Sequence, residues 1–324
     1  MKRHFRRAAC MAAVLVAVGM VLPVAAAGQE LPRTPWGDPD LQGIWSNTTT
    51  TPLQRPEELA DRTTLTDEER AERDAERAAN ADRPPPPGQT GAYNSFWFER
   101  GYTGEQTSLV VDPPSGQLPP LTPPAAARAE AIHAVRYSDR RDWTTDFHLY
   151  DRCLTRALPG SMMPGFYNHN YNILQTPDHV VIQVEMIHDS RIVPLDGRPQ
   201  IDPSIQQWLG SSRGRWEGDT LVVETTNLSA KANEQRVEMA NVVFGIGENA
   251  RLVERFTRID AETIDYQVTV HDPTTYQSAW TVSMPMVAIE GPLFEYACHE
   301  GNYALRNMLS GARADEAAAA AAQK

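Results

Sequence analysis

Arg213-Gly214-Arg215-Trp216-Glu217-Gly218-Asp219-Thr220-Leu221-Val222-Val223-Glu224 decides the class of fold. The run turns at Glu217-Gly218-Asp219 and resumes with three consecutive strand-favouring residues, the pattern of a β-hairpin. Downstream, Arg251 to Arg258 and Thr263 to Val270 flank Asp260-Ala261-Glu262, a second hairpin. Asp272-Pro273-Thr274 then turns into a strand over Ser278 to Met284, and Leu293 to Cys298 is expected to supply the last one. Upstream, the period changes to two near Asn172. Val180, Ile182, Val184 and Met186 alternate with Val181, Gln183 and Glu185, which predicts a half-buried strand. Strands about ten residues apart, joined by tight turns, predict a mainly β, antiparallel sheet that curls or closes.

The composition agrees. A chain of 324 residues, 41% hydrophobic and 22% charged, is that of a soluble globular protein of one large domain or two modest ones. With 25 prolines and 20 glycines it favours loops and turns over a helical bundle. The formal charge of −12 argues against nucleic acid or anionic lipid as a partner, since both require clustered Lys and Arg.

Met1 to Arg7 carries Lys2, Arg3, Arg6 and Arg7, followed by an apolar run from Ala8 to Val24 and then Ala25-Ala26-Ala27. This is the layout of a secretory signal peptide over residues 1–27; an uncleaved anchor is the alternative. Cleavage would remove four basic residues and no acidic one, taking the formal charge from −12 to −16. No stable membrane insertion is expected afterwards, and the location is periplasmic or secreted. Cleavage also removes Cys10 and leaves Cys153 and Cys298, either two buried thiols or a disulfide of the kind an oxidising compartment permits. Such a bond would close a loop of about 145 residues and contribute about 3–5 kcal/mol on a chain-entropy account.

Residues 28–104 read as an irregular, Pro-rich segment that wraps the rest. Within it, Trp36 to Trp45 forms a clasp or first strand, and Thr66-Asp67-Glu68-Glu69 is a capping box. The helix that follows, over Arg70 to Ala79, has almost no apolar stripe and reads as solvated. Arg83 to Gly88 is an extended polyproline linker. Tyr93, Phe96, Trp97, Phe98 and Tyr102 either line a ligand site or pack a barrel mouth. Ser108 to Val111 is a strand, and Thr122-Pro123 caps a helix through Val135. The β domain is expected over 105–312, followed by an Ala-rich tail over 313–324 that is either a frayed helix or disordered.

Five segments carry a resemblance: Pro39 to Trp45, Asp151-Arg152-Cys153-Leu154-Thr155-Arg156, Glu185-Met186-Ile187-His188-Asp189, Arg213 to Val223, and Glu295 to Tyr303. Together they look like a family of exported bacterial proteins of uncharacterised function, and the resemblance implies export without supplying an activity. Gly43-Ile44-Trp45 resembles the G-x-W of lipocalin-like barrels, which implies a lipocalin-like curved or closed sheet with a few short helices.

Candidate chemistry concentrates between Asp151 and Arg191. Arg152 and Arg156, four apart, share a face if the segment is helical and form either an anion clamp or surface ion pairs. Tyr167-Asn168-His169-Asn170 is either a polar ligand grip or a turn with Asn in left-handed conformation. His169 has the reference pKa of a general base. In a regular strand Glu185 and His188 point opposite ways, so Gln183 and Glu185 face either a barrel cavity or the solvent. If Cys153 and Cys298 bond, Tyr296, His299 and Glu300 come near Arg152, Arg156 and His169.

Two functions follow. One is an exported acid–base enzyme of lyase, isomerase or hydrolase type acting on a small organic or glycan-like molecule. Its catalytic residues are His169, Glu185, His299 and Glu300, with Arg152, Arg156, Tyr167, Asn168, Asn170, His188 and Tyr296 binding substrate. The other is a non-catalytic, lipocalin-like binder of an apolar small molecule. There is no G-x-G-x-x-G, Walker A loop or G-x-S-x-G, so no organic cofactor is predicted. A divalent metal held by dispersed residues such as His169, Glu185, His188, Asp189, His299 and Glu300 is the rival use of these side chains.

Overall fold

The computed structural model describes residues 31–81, 84, 87, 98–99, 101–136, 141–165, 167–234 and 246–322. The leader over 1–27 with Cys10, most of the polyproline linker, and Tyr93, Phe96 and Trp97 of the aromatic run lie outside the described residues. The strands are β1 (Gly43–Ser46), β2 (Val110–Asp112), β3 (Asn170–Gln175), β4 (His179–Val184), β5 (Ser190–Pro194), β6 (Ser211–Glu217), β7 (Thr220–Thr226), β8 (Arg251–Arg258), β9 (Thr263–His271) and β10 (Trp280–Ala288). The helices are α1 (Asp67–Asn80), α2 (Pro123–Arg136) and α3 (Ala304–Ala322).

All strands join one antiparallel sheet in the order β5-β4-β3-β1-β10-β9-β8-β7-β6, with β2 added beside β10. The two ends of that order, β5 and β6, lie side by side without exchanging ladder hydrogen bonds, so the sheet is a nearly closed barrel of lipocalin-like kind. Close approach at the seam depends on Gly214. A Cβ there would stand 2.6 Å from Leu195 Cδ2 and 2.9 Å from Val193 Cγ1.

Period-two patterning fills the interior. Val180, Ile182 and Val184 of β4, Tyr171 and Ile173 of β3, and Ile264, Tyr266, Val268 and Val270 of β9 are all fully buried. Trp45, Trp280, Met284 and Phe256 complete the core, with Phe256 and Tyr266 ring centroids 4.6 Å apart. The expected hairpins over 211–226 and 251–271 are present as β6–β7 and β8–β9. The Trp36–Trp45 segment supplies a strand in mid-sheet, between β3 and β10. It is held by Leu41 N donating to Gln175 Oε1 (2.6 Å) and by the Arg258 guanidinium 5.3 Å over the Trp45 ring.

One expectation is corrected. Residues 293–298 form no strand; after Ile289 pairs with Ile44 the chain leaves the sheet as an irregular, mostly exposed strap. Of the two forms open to the Ala-rich end, the helix is present through Ala322, because alanine gives up no side-chain entropy on helix formation and needs no core to favour it. Among the described residues no helix is long and apolar enough to cross a membrane.

Inside this apolar barrel sits one ion pair. Arg191 of β5 donates through Nη1 to Glu254 Oε1 of β8 (2.9 Å) and through Nη2 to Oε2, and both side chains are about 1–2% exposed. Tyr266 of β9 donates to the same carboxylate (2.8 Å), and Nη2 reaches Thr225 of β7 and Ser212 of β6. Glu254→Gln removes the charge and strands the guanidinium, so we expect a loss of about 3–5 kcal/mol in urea-unfolding free energy. The paired replacement Arg191→Met with Glu254→Leu is expected to cost less than the single change, and a single variant as stable as wild type would refute this role.

Candidate functional site

β1 ends, β3 begins and β4 ends at the same edge of the barrel, because Ser46 pairs with Asn170 and Tyr171 with Val184. The motif residues of 150–170 cross this mouth. Their path is fixed by Thr155 Oγ1, which donates to Asp189 Oδ2 in the β4–β5 turn (3.0 Å) and accepts from Ala157 N. Asn47 Nδ2 donates to Met162 O (2.8 Å), and Tyr171 OH donates to Asn47 Oδ1 (3.3 Å).

The mouth holds a guanidinium against an imidazole. Arg156 Nη1 donates to His169 Nε2 at 2.8 Å, which makes the ring neutral with its proton on Nδ1. Nδ1 faces the Met163 backbone but forms no hydrogen bond of good geometry. His169 is 0% exposed, and burial, then the Arg156 charge, holds its pKa well below the ordinary histidine value. The ring lies so close to Gly165 that a Cβ there would be 1.9 Å from Nε2.

Three phenols surround the guanidinium. Tyr150 OH lies 3.0 Å from Tyr167 OH and 3.2 Å from Tyr296 OH, and the Arg156 guanidinium stands 5.3 Å from the Tyr150 ring centre. Burial pushes Tyr150 up to about 12 and raises Tyr296, so both hydroxyls stay protonated at neutral pH. Burial draws the Arg156 pKa down, yet an arginine so placed remains a cation. Among the described residues no carboxylate pairs with it.

The carboxylates are gathered elsewhere. Glu185, 1% exposed, accepts from Asn168 Nδ2 (3.2 Å), Asn170 Nδ2 (2.7 Å) and Phe294 N (3.3 Å). Glu99 Oε1 accepts from Asn168 N (2.9 Å) and Asn170 Nδ2 (3.1 Å). Asn168 takes the left-handed conformation (φ 54°), and so do Ile187 (62°) and His188 (64°) in the β4–β5 turn. Two consecutive non-glycine residues there, one of them β-branched, are strained backbone.

The disulfide forms between Cys153 and Cys298, which are 145 residues apart. It pins the strap, and with it Tyr296, to the mouth. Other sequence expectations are corrected. Arg152 and Arg156 share no helix: the chain turns through 151–154 and extends after it, so only Arg156 reaches the imidazole. Of the two faces open to Gln183 and Glu185, they take the outer one: β4 stops at Val184, Gln183 points outward near His188 (3.4 Å), and Glu185 lies outside the wall but buried under the strap rather than in solvent. His188 is exposed. His299 and Glu300 are also exposed, and among the described residues their side chains form no hydrogen bond, whereas Tyr296 meets Tyr150 at 3.2 Å.

The sequence reading missed Tyr150, Glu99, Gly165 and Asn47. Tyr150 adjoins the Asp151–Arg156 motif and was findable there; nothing local marks the other three. Among the described residues no three His, Cys, Asp or Glu side chains gather into a metal-ligating group.

Two measurements check the imidazole's role. His169 is neutral when folded and protonates below about pH 6.5 when unfolded, so the unfolded chain takes up the proton first. Its contribution is therefore fully present above about pH 6.5 and is lost as pH falls, by up to about 1.4 kcal/mol per pH unit. His169→Gln is expected to flatten that slope in urea titrations; an unchanged slope would remove His169 from the account. Gly165→Ala must displace the ring and is expected to cost about 1–3 kcal/mol, and a variant as stable as wild type would show the contact to be slack.

No protein-family model matches the chain, and no curated protein does.

Proposed function

We propose that the protein is an exported, lipocalin-like binder of a small organic anion, held at the barrel mouth by Arg156 and the hydroxyls of Tyr150, Tyr167 and Tyr296. The supporting observation is Arg156: a half-buried cation that, among the described residues, has one neutral hydrogen-bond partner and no carboxylate. A partly desolvated charge without a counter-charge is costly, and a carboxylate offered to the guanidinium's remaining N–H groups would reduce that cost. Protonated phenols around it are further donors to an anion. The interior is filled by fully buried side chains, which favours a ligand at the mouth over an apolar one in the lumen. Export, and membership of the family the five motifs resemble, belong to the same proposal, and the disulfide is compatible with both.

The strained turn at Ile187 and His188 favours a second reading, in which the mouth performs acid–base chemistry on the bound anion. There the tyrosines would supply the proton, Arg156 would hold the substrate, and His169 would position Arg156.

Calorimetric titration with acetate, benzoate and phosphate, beside neutral benzamide, tests the binding. At least one anion is expected to bind wild type, and Arg156→Gln to weaken it about tenfold or more. Equal binding by the variant, or no anion bound by wild type, overturns the proposal. Proton NMR of the same mixtures reads turnover, which would move the assignment from binder to enzyme.

A further inference from the structure

A second cleft lies at the other worked segment of the N-terminal region, between α1 and the chain over 50–65 and 103–107, with a volume of about 310 Å³. That is at the small end of the range for small-molecule sites. Its floor is aliphatic: Pro52, Leu59 and Leu65. Its roof is a helix that buries no residue. Arg73, Glu76, Arg77 and Asn80 all line the cleft and fall at i, i+3, i+4 and i+7 on α1. An amphipathic helix carries its apolar residues on that stripe, toward the body of the protein. Here the stripe bordering the cleft is polar, with Arg73 and Arg77 half-buried and Glu76 and Asn80 exposed at the rim.

Polar tethers rather than packing hold the helix over the cleft. At its start, Thr66 and Glu69 form a capping box, and Arg62 grips Glu69 through both guanidinium nitrogens (2.6 Å each). Further along, Asp74 accepts from Thr103 N (3.1 Å) and Oγ1 (2.6 Å), and Arg77 reaches Gly101 O. Arg77 is thereby committed. Arg73 and Glu76 hydrogen-bond and ion-pair with none of the described residues, and the same holds for the side chains of Asn80 and Gln106.

We propose that this cleft is a binding site for a small zwitterion with an aliphatic body, of the class of aliphatic α-amino acids. Among the described residues the cleft presents a carboxylate, Glu76, with no partner, and a cation, Arg73, that forms no hydrogen bond or ion pair and feels only the charge of Glu69 one turn back. A plain anion would meet repulsion from Glu76 and a plain cation from Arg73, so only a ligand carrying both charges satisfies both walls. Its carboxylate takes the Arg73 guanidinium, its ammonium takes Glu76 and the adjacent amide oxygens, and its aliphatic part covers Leu59 and Leu65.

L-Leucine titrated into the full mature chain by calorimetry is the test, beside 4-methylpentanoate, which lacks the ammonium, and isoamylamine, which lacks the carboxylate. Leucine is expected to bind wild type, with each analogue about tenfold weaker or more. Arg73→Ala and Glu76→Gln are each expected to lose about tenfold or more in leucine affinity. Glu76 makes no contact with the capping box, so Glu76→Gln is expected to leave the thermal midpoint unchanged, while Arg73→Ala removes only a charge near Glu69, whose grip by Arg62 stays in place. Failure of leucine to bind wild type overturns the proposal, as does equal binding of 4-methylpentanoate, or leucine affinity unchanged in both variants.

Discussion

Arg191 and Glu254 face each other across the barrel interior, both almost completely buried. Arg191 sits on one end strand of the sheet, while its partners are on β6, β7 and β8 at the other end, and Tyr266 of β9 holds the Glu254 carboxylate in turn. The seam between β5 and β6 has no ladder of hydrogen bonds, so this network is the polar link across it. A slip of β5 by one residue would turn Arg191 outward and leave Glu254 alone in hydrocarbon. A buried pair of this kind contributes little net stability compared with apolar packing. Its value here is that it admits one register and one closure.

That closure moves the chemistry outward. With the lumen occupied by Trp45, Trp280, Phe256 and Tyr266 around the ion pair, polar groups that could meet a ligand lie where strands end. Three strand ends meet at one mouth, and the 150–170 segment crosses it. β10 leaves the sheet at the far end of β1, and the chain must return along the outer wall before Phe294 N reaches Glu185. The disulfide fixes the end of that return, so Tyr296 is placed beside Tyr150 by a covalent bond rather than by the sheet.

What was legible in the sequence was what local physics determines. The hairpins at 211–226 and 251–271 follow from alternation and turn residues, and α1 from its capping box. The cysteine pair was legible as a possibility only, since spacing says nothing of whether two Cβ atoms meet. Residues whose environment is made by distant chain were not legible. Glu185 lies where alternation puts an outward side chain, and it is buried only because the strap returns over it. Leu293 to Cys298 has strand-like residues, but the neighbouring ladder positions on β1 are already taken by β3 and β10. Arg152 and Arg156 have helical spacing, but Cys153 adopts a left-handed conformation (φ 54°) that a helix does not tolerate.

The Asn168-His169-Asn170 run shows why a protein so rich in acids leaves Arg156 without one. Both asparagines donate to carboxylates: Asn168 to Glu185 and, through its backbone, to Glu99; Asn170 to both. The residue between them turns the other way and meets the guanidinium with a neutral ring. Three consecutive residues therefore hold two carboxylates on one side and a cation on the other, and supply amide donors so that the carboxylates do not need the cation. Were the asparagines apolar, Glu185 and Glu99 would lose those donors and would need another cation or donor to offset their desolvation. The amides thus keep the guanidinium's remaining donors open at the barrel mouth, which is the condition an anion site requires.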